Sequence, residues 1–150
     1  MTGKRGIFIK SPRLLGAATT FNRAYTPGAT YYFNVSIPEN AEGSLKQITL
    51  TQVEGEDIKY RLDETEAFEG THRDRGADLK PIEVANNPET RTISVTFSSP
   101  VPPGKTVTIG LSPTHNPMDG VYLFKVKVFP EGDNPQALEL GVGRLHFYNR

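Results

Sequence analysis

The chain has 150 residues, no cysteine, and equal numbers of basic and acidic residues, 17 of each. That length suits one domain that buries most of its surface without staples, and the missing thiols exclude disulfides, cysteine nucleophiles and thiolate zinc sites. No apolar run approaches the roughly eighteen residues of a membrane-spanning helix.

The first dozen residues, "MTGKRGIFIKSP", read as an arm (1–12) ahead of a single domain (13–150). Ile7, Phe8 and Ile9 are three consecutive apolar residues flanked by Arg5 and Lys10. Such a segment can add to the sheet edge of a neighbouring copy through main-chain hydrogen bonds. Charge favours the same contact. Residues 1–38 carry Lys4, Arg5, Lys10, Arg13 and Arg23 without one acid, whereas 39–89 carry 13 acids against 6 bases. No basic stripe is interleaved with aromatics, so nucleic acid is excluded as a partner.

"ATYYFNVSIPEN" alternates: Tyr31, Phe33, Val35 and Ile37 point one way, Tyr32, Asn34 and Ser36 the other. That is a half-buried strand. "SLKQITLTQV" predicts a second strand and "DIKYRL" a third, at an edge. Residues 63–79, "DETEAFEGTHRDRGADL", resist a strand reading and predict a helical turn around Thr65–Phe68 followed by a polar loop. "KPIEVANNPETRTISVTF" predicts a hairpin that turns at "ANNPET", with Ile93, Val95 and Phe97 inward.

"PVPPGKTVTIGL" contains Gly104-Lys105-Thr106, the closing residues of a phosphate loop. The first glycine of that motif is missing, because Ser99 occupies its place, and Pro100, Pro102 and Pro103 have no N–H to give an anion. The next six residues, "TVTIGL", alternate as a strand and not as a helix. The segment is a stiff turn, and no nucleotide is implied.

"GVYLFKVKVFP" sets Tyr122, Phe124, Val126 and Val128 inward against Lys125 and Lys127. In "ALELGVGRLHFY", Leu138, Leu140 and Val142 share a face but Leu145 and Phe147 come next with opposite parity, which predicts a β-bulge beside Gly141 and Gly143. About eight or nine strands separated by Pro/Gly turns predict an all-β, two-sheet immunoglobulin-like sandwich.

Candidate chemistry is sparse. The three histidines are far apart in sequence; His72 with Asp74, and His115 with Asp119, are the weak metal candidates, for Ca²⁺ or Cu. No Gly-x-Ser-x-Gly elbow is present and no serine has an activating neighbour, so a non-catalytic protein is expected and a carbohydrate hydrolase is disfavoured. No cofactor is implied. Tyr31 and Tyr122 belong to the core on parity, leaving Tyr32 and Tyr148 as exposed contact residues, alongside Ile7, Phe8 and Ile9 of the arm.

"ATYYFNVSIPENA", "AFEGTHRDRG", "VTFSSPVPPGKTVTIGLSPTHNP", "GVYLFKVKVFPEG" and "ELGVGRLHFY" together resemble an uncharacterised domain family of exported cyanobacterial proteins. The resemblance runs from about Ala29 to Tyr148. It implies a secreted, periplasmic or cell-surface protein with no established activity. Members are made with an N-terminal signal; this chain lacks one, as a mature form would. Residue pattern and resemblance lead to one expectation: a structural or interaction protein of the envelope or matrix, self-assembling through its arm, with a small-ligand or metal-binding module as the alternative.

Overall fold

A computed structural model describes residues 6–149, and apart from one 3-10 turn at Leu62–Glu64 its regular elements are strands. In chain order these are β1 (Arg13–Thr19), β2 (Tyr31–Ser36), β3 (Leu45–Glu54), β4 (Glu66–Gly70), β5 (Arg75–Asp78), β6 (Ile82–Asn87), β7 (Thr92–Val101), β8 (Thr106–Leu111), β9 (Gly120–Pro130) and β10 (Leu138–Phe147). They form two antiparallel sheets of five, ordered β1-β2-β8-β4-β5 and β10-β9-β3-β7-β6. The expected two-sheet sandwich is the architecture found.

Alternation explains the core. Tyr31, Phe33, Val35 and Ile37 are fully buried, and they meet the inward residues of the opposite sheet, among them Leu50, Val95, Phe124 and Phe147. The Phe33 and Phe124 rings lie edge to face at 5.3 Å, and Tyr31 and Tyr122 both pack on Phe147 at 5.4 Å. Each buried ring removes more apolar area from water than an aliphatic side chain does. At one side β1 lies over β10, where Gly143 leaves room for Ala17.

Three expectations are corrected. Residues 63–79 contain β4 and β5, not a helical turn around Thr65–Phe68. Their charges hid them: β5 is an exposed edge strand, where charged residues blunt pairing with other chains. Arg75 reaches Glu66 at 2.5 Å and Asp78 at 3.2 Å, and lies 4.1 Å over the Phe68 ring, covering it. "DIKYRL", expected as an edge strand, alternates, with Ile58, Tyr60 and Leu62 half-buried, but among the described residues makes only one bridge, Tyr60 to Pro113. Arg61 N–H donates to Ser112 O and Thr114 N–H to Lys59 O, and Pro113 between them has no N–H to continue a ladder. The bulge in β10 is present, between Glu139 and Gly141, where Gly141 adopts φ 125°. Val142 consequently turns outward, 47% exposed, and does not share the face of Leu138 and Leu140.

The described part of the arm, residues 6–12, forms no strand. Gly6 O accepts from Gln136 N–H at 2.6 Å, Ile9 N–H donates to Ala41 O at 2.9 Å, and Phe8 packs against the core. Lys4 and Arg5 lie outside the described residues.

Candidate functional site

Strand register gathers four connections at one end of the sandwich. Tyr31 pairs with Leu111, Leu50 with Ile93, and Phe147 with Gly120, so the segments 20–30, 55–61, 88–91 and 112–119 all emerge there. The arm sits at the opposite end, near the connection after Ile37 and the β9–β10 turn.

Asn116 pins the loop end. Its side chain is wholly buried; Oδ1 accepts from the Tyr31 hydroxyl at 2.7 Å, and Nδ2 donates to Phe21 O at 3.0 Å and Arg23 O at 2.9 Å. Its backbone N–H donates to Thr26 O. One amide therefore ties the loop before β2 to the loop before β9. Against this anchor three rings stand out to solvent: Phe21, Tyr25 and Tyr148, 51%, 59% and 38% exposed. Tyr148 is held by backbone bonds to Asn22 and Ala24, and His146 stacks on it at 4.2 Å.

Beside this rim the two sheets part to leave a cleft of about 480 Å³. Leu50, Ile93 and Phe124 of one sheet and Leu111 of the other form its apolar floor; Tyr60 and Arg91 line its mouth. Arg91 closes the β6–β7 turn in the left-handed conformation, φ 56°. Its Nη2 donates to Gly55 O at 2.5 Å, and its Nε lies 2.9 Å from Asp57 Oδ1. That approach is an ion pair by distance, but its alignment does not complete a hydrogen bond: Nε and the Tyr60 hydroxyl are both buried without a hydrogen-bond partner. Asp57 is the one carboxylate lining the cleft, so no facing pair of the kind glycosidases use stands there.

Burial pushes the Tyr60 hydroxyl well above the ordinary phenol range, although the Arg91 charge opposes this, and burial raises Tyr31 and Tyr122 as well. A folded-state pKa above the unfolded value of about 10 confers stability that is complete below pH 10 and declines as pH rises toward the folded value. Absorbance at 295 nm is therefore expected to show Tyr31 and Tyr60 ionising only as the chain unfolds in alkali, with stability falling above about pH 10. Smooth ionisation of every tyrosine near pH 10 in the folded protein would contradict this.

The residues singled out in the sequence are dispersed. Tyr32 lies on the outer face of its sheet, sandwiched between His72, stacked at 5.4 Å, and the edge of Phe68 at 6.1 Å. His72 is fixed by Asn34: its backbone N–H donates to Asn34 Oδ1 at 3.1 Å, and its Nδ1 faces Asn34 Nδ2 at 3.1 Å. Asp74 is exposed in the following turn, its N–H bonded to Thr71. His115 and Asp119 are exposed in the loop before β9. Among the described residues no three His, Cys, Asp or Glu form a group that could hold a metal ion. Of the expected contact residues only Tyr148 stands at the loop end; Tyr32 belongs to the outer face and Ile7, Phe8 and Ile9 to the far end.

The sequence profile of a family described as protein of unknown function (DUF2808) matches residues 5–147. The chain belongs to that family. The sequence matches no curated protein. Among solved structures it is similar to the C-terminal domain of the Streptococcus pyogenes antigen I/II-family protein AspA, with 14% identity, a TM-score of 0.53, and coverage of 89% of this chain and 46% of that one. It is also similar to the C-terminal domain of the Streptococcus agalactiae AgI/II polypeptide BspA, with 12% identity over 90% and 50% of the two chains and a TM-score of 0.48. For the collagen-binding domain of a Staphylococcus aureus adhesin the values are 13%, 81% and 87%, and 0.40. The chain spans about half the length of the AspA and BspA chains it matches. The AspA likeness is one of fold alone, an immunoglobulin-like sandwich. Among the described residues no helix is long and apolar enough to cross a membrane.

Sequence reasoning did not find Tyr60, Arg91 or Asn116. Tyr60 carried a weak signal in its alternation with Ile58 and Leu62. Arg91 and Asn116 carried none, since each acts on groups distant in sequence.

Proposed function

We propose that this domain is a non-catalytic interaction module acting outside the cytoplasm, in the cell envelope or extracellular matrix, and that copies of it join through the N-terminal segment. The observation that supports the module is the loop end, where Phe21 and Tyr25 are exposed on a loop pinned by Asn116 and the exposed Tyr148 is bonded to that same loop at Asn22 and Ala24. Rigid aromatic side chains offer contact area at low entropic cost, which is why interfaces are rich in them. Placement outside the cytoplasm rests on the resemblance of "PVPPG" and "GVGRLHFY" to segments of exported proteins.

The case for assembly lies in how residues 6–9 are held. Two backbone bonds and the Phe8 contact seat them on their own domain. A neighbour's segment would make the same contacts, so exchange between copies costs little once the segment is released. Analytical ultracentrifugation of the chain and of a form lacking residues 1–12 tests this. Large species that vanish on truncation are expected; two equal monomer boundaries would overturn the assembly reading.

A further inference from the structure

We propose that the cleft between the sheets is a binding site for a small amphipathic carboxylate, its apolar body on Leu50, Ile93, Leu111 and Phe124 and its carboxylate at Tyr60 and Arg91. The proposal does not depend on assembly through the N-terminal segment. A volume of about 480 Å³ lies in the range of small-molecule sites, and an apolar floor with a few polar groups at one side is their usual composition. What selects the ligand is a pair of buried atoms that make no hydrogen bond: the Tyr60 hydroxyl, and Arg91 Nε, which the Asp57 carboxylate meets as an ion pair at 2.9 Å. Arg91 Nε is a donor that cannot accept, and the Tyr60 hydroxyl, kept protonated by burial, has its O–H to give. A buried donor without an acceptor is costly, so the Tyr60 hydroxyl calls for an acceptor brought from outside, and a ligand carboxylate could take the place beside Arg91 that Asp57 now holds. An anion suits both, because Arg91 is cationic and Lys59 adds a second positive charge to the lining against the single carboxylate of Asp57. Asp57 is 88% exposed, which leaves it free to swing away from Arg91 when a ligand carboxylate arrives.

The experiment titrates the full chain with octanoate, octanol and octylamine, three probes with the same apolar tail, monitored by amide NMR shifts and calorimetry. Octanoate is expected to move the signals of residues 50–60, 86–93 and 111–114, octanol to bind about tenfold more weakly and octylamine more weakly still. Tyr60→Phe is expected to lose about tenfold in octanoate affinity, the scale of one hydrogen bond to a charged group, and little in octanol affinity. The ligand-free Tyr60→Phe protein should be as heat-stable as the parent or more so, because it loses a hydroxyl that has no partner. Equal binding of all three probes would reduce the site to a plain apolar cleft and overturn the carboxylate. Absence of shifts at millimolar octanoate would overturn the site. A Tyr60→Phe protein that melts well below the parent would show that water already satisfies the hydroxyl, and would remove the premise.

Discussion

Replacing Asn116 with alanine is expected to cost about 3–5 kcal/mol of unfolding free energy, a fall in Tm of roughly 8–15 °C for a domain of this size. The substitution removes three hydrogen bonds at once. The Tyr31 hydroxyl loses its acceptor, while the carbonyls of Phe21 and Arg23 each lose one of two donors and keep the Thr19 hydroxyl and the Thr26 N–H. The buried hydroxyl left unsatisfied costs about 1–3 kcal/mol, and each of the two other hydrogen bonds lost about 0.5–1.5 kcal/mol. Tyr31→Phe removes one of the same bonds from the other side and is expected to cost only about 1–2 kcal/mol, so the two variants scale the network. Circular dichroism melts of both check the prediction. A loss below 1 kcal/mol for Asn116→Ala would mean that water replaces the amide, and that the aromatic rim is not rigidly mounted.

Gly70→Ala is expected to be the other severe substitution, at about 3 kcal/mol or more. Gly70 has φ 89°, and a Cβ there would run into the carbonyl oxygen of Asp74. Backbone strain and collision act together at the corner where β4 turns into β5. The effect would spread, because Gly70 O and Asn34 Oδ1 share the single proton of the Thr108 hydroxyl, at 2.7 and 2.6 Å, and Asn34 holds His72 against Tyr32. Alongside the lowered Tm, the His72 ring protons should lose the upfield shift that the stacked Tyr32 ring imposes. Gly141→Ala is the control: φ is 125° there too, yet nothing lies within 4 Å of the new methyl, so strain alone remains and about 1 kcal/mol is expected. Equal losses at the two positions would show that collision with Asp74 contributes nothing.

The fold was largely legible. Period-two alternation in "YYFNV" and "YLFKVKV" identified the inward residues of β2 and β9, and all of those named from these strands are buried. The shift of parity around Gly141 revealed a bulge, although on the wrong side of Val142. The polar edge was not legible. β4 and β5 gain their place by pairing with β8 and with each other, and by Arg75 covering Phe68, none of which leaves an apolar pattern in the chain. "DIKYRL" misled for the converse reason: its alternation is real, but Pro113 ends the ladder opposite it.

The candidate site divides the same way. Composition and motif excluded thiol chemistry and a phosphate loop, because those chemistries need particular residues at fixed local spacing. The tyrosine expected at a contact surface, Tyr148, is exposed at the loop end, while Tyr32 is instead engaged with His72 and Phe68. The sequence by itself determined what is written locally: strands, turns, the inward face of each strand, and hence two sheets around one core. Only the tertiary structure decided which groups meet. Tyr31 and Asn116 are 85 residues apart, and the two donors in the cleft, Tyr60 and Arg91, come from different loops. A hydrogen bond between distant residues, or one left unmade, depends on the positions of both backbones after packing, and no local pattern of residues encodes that.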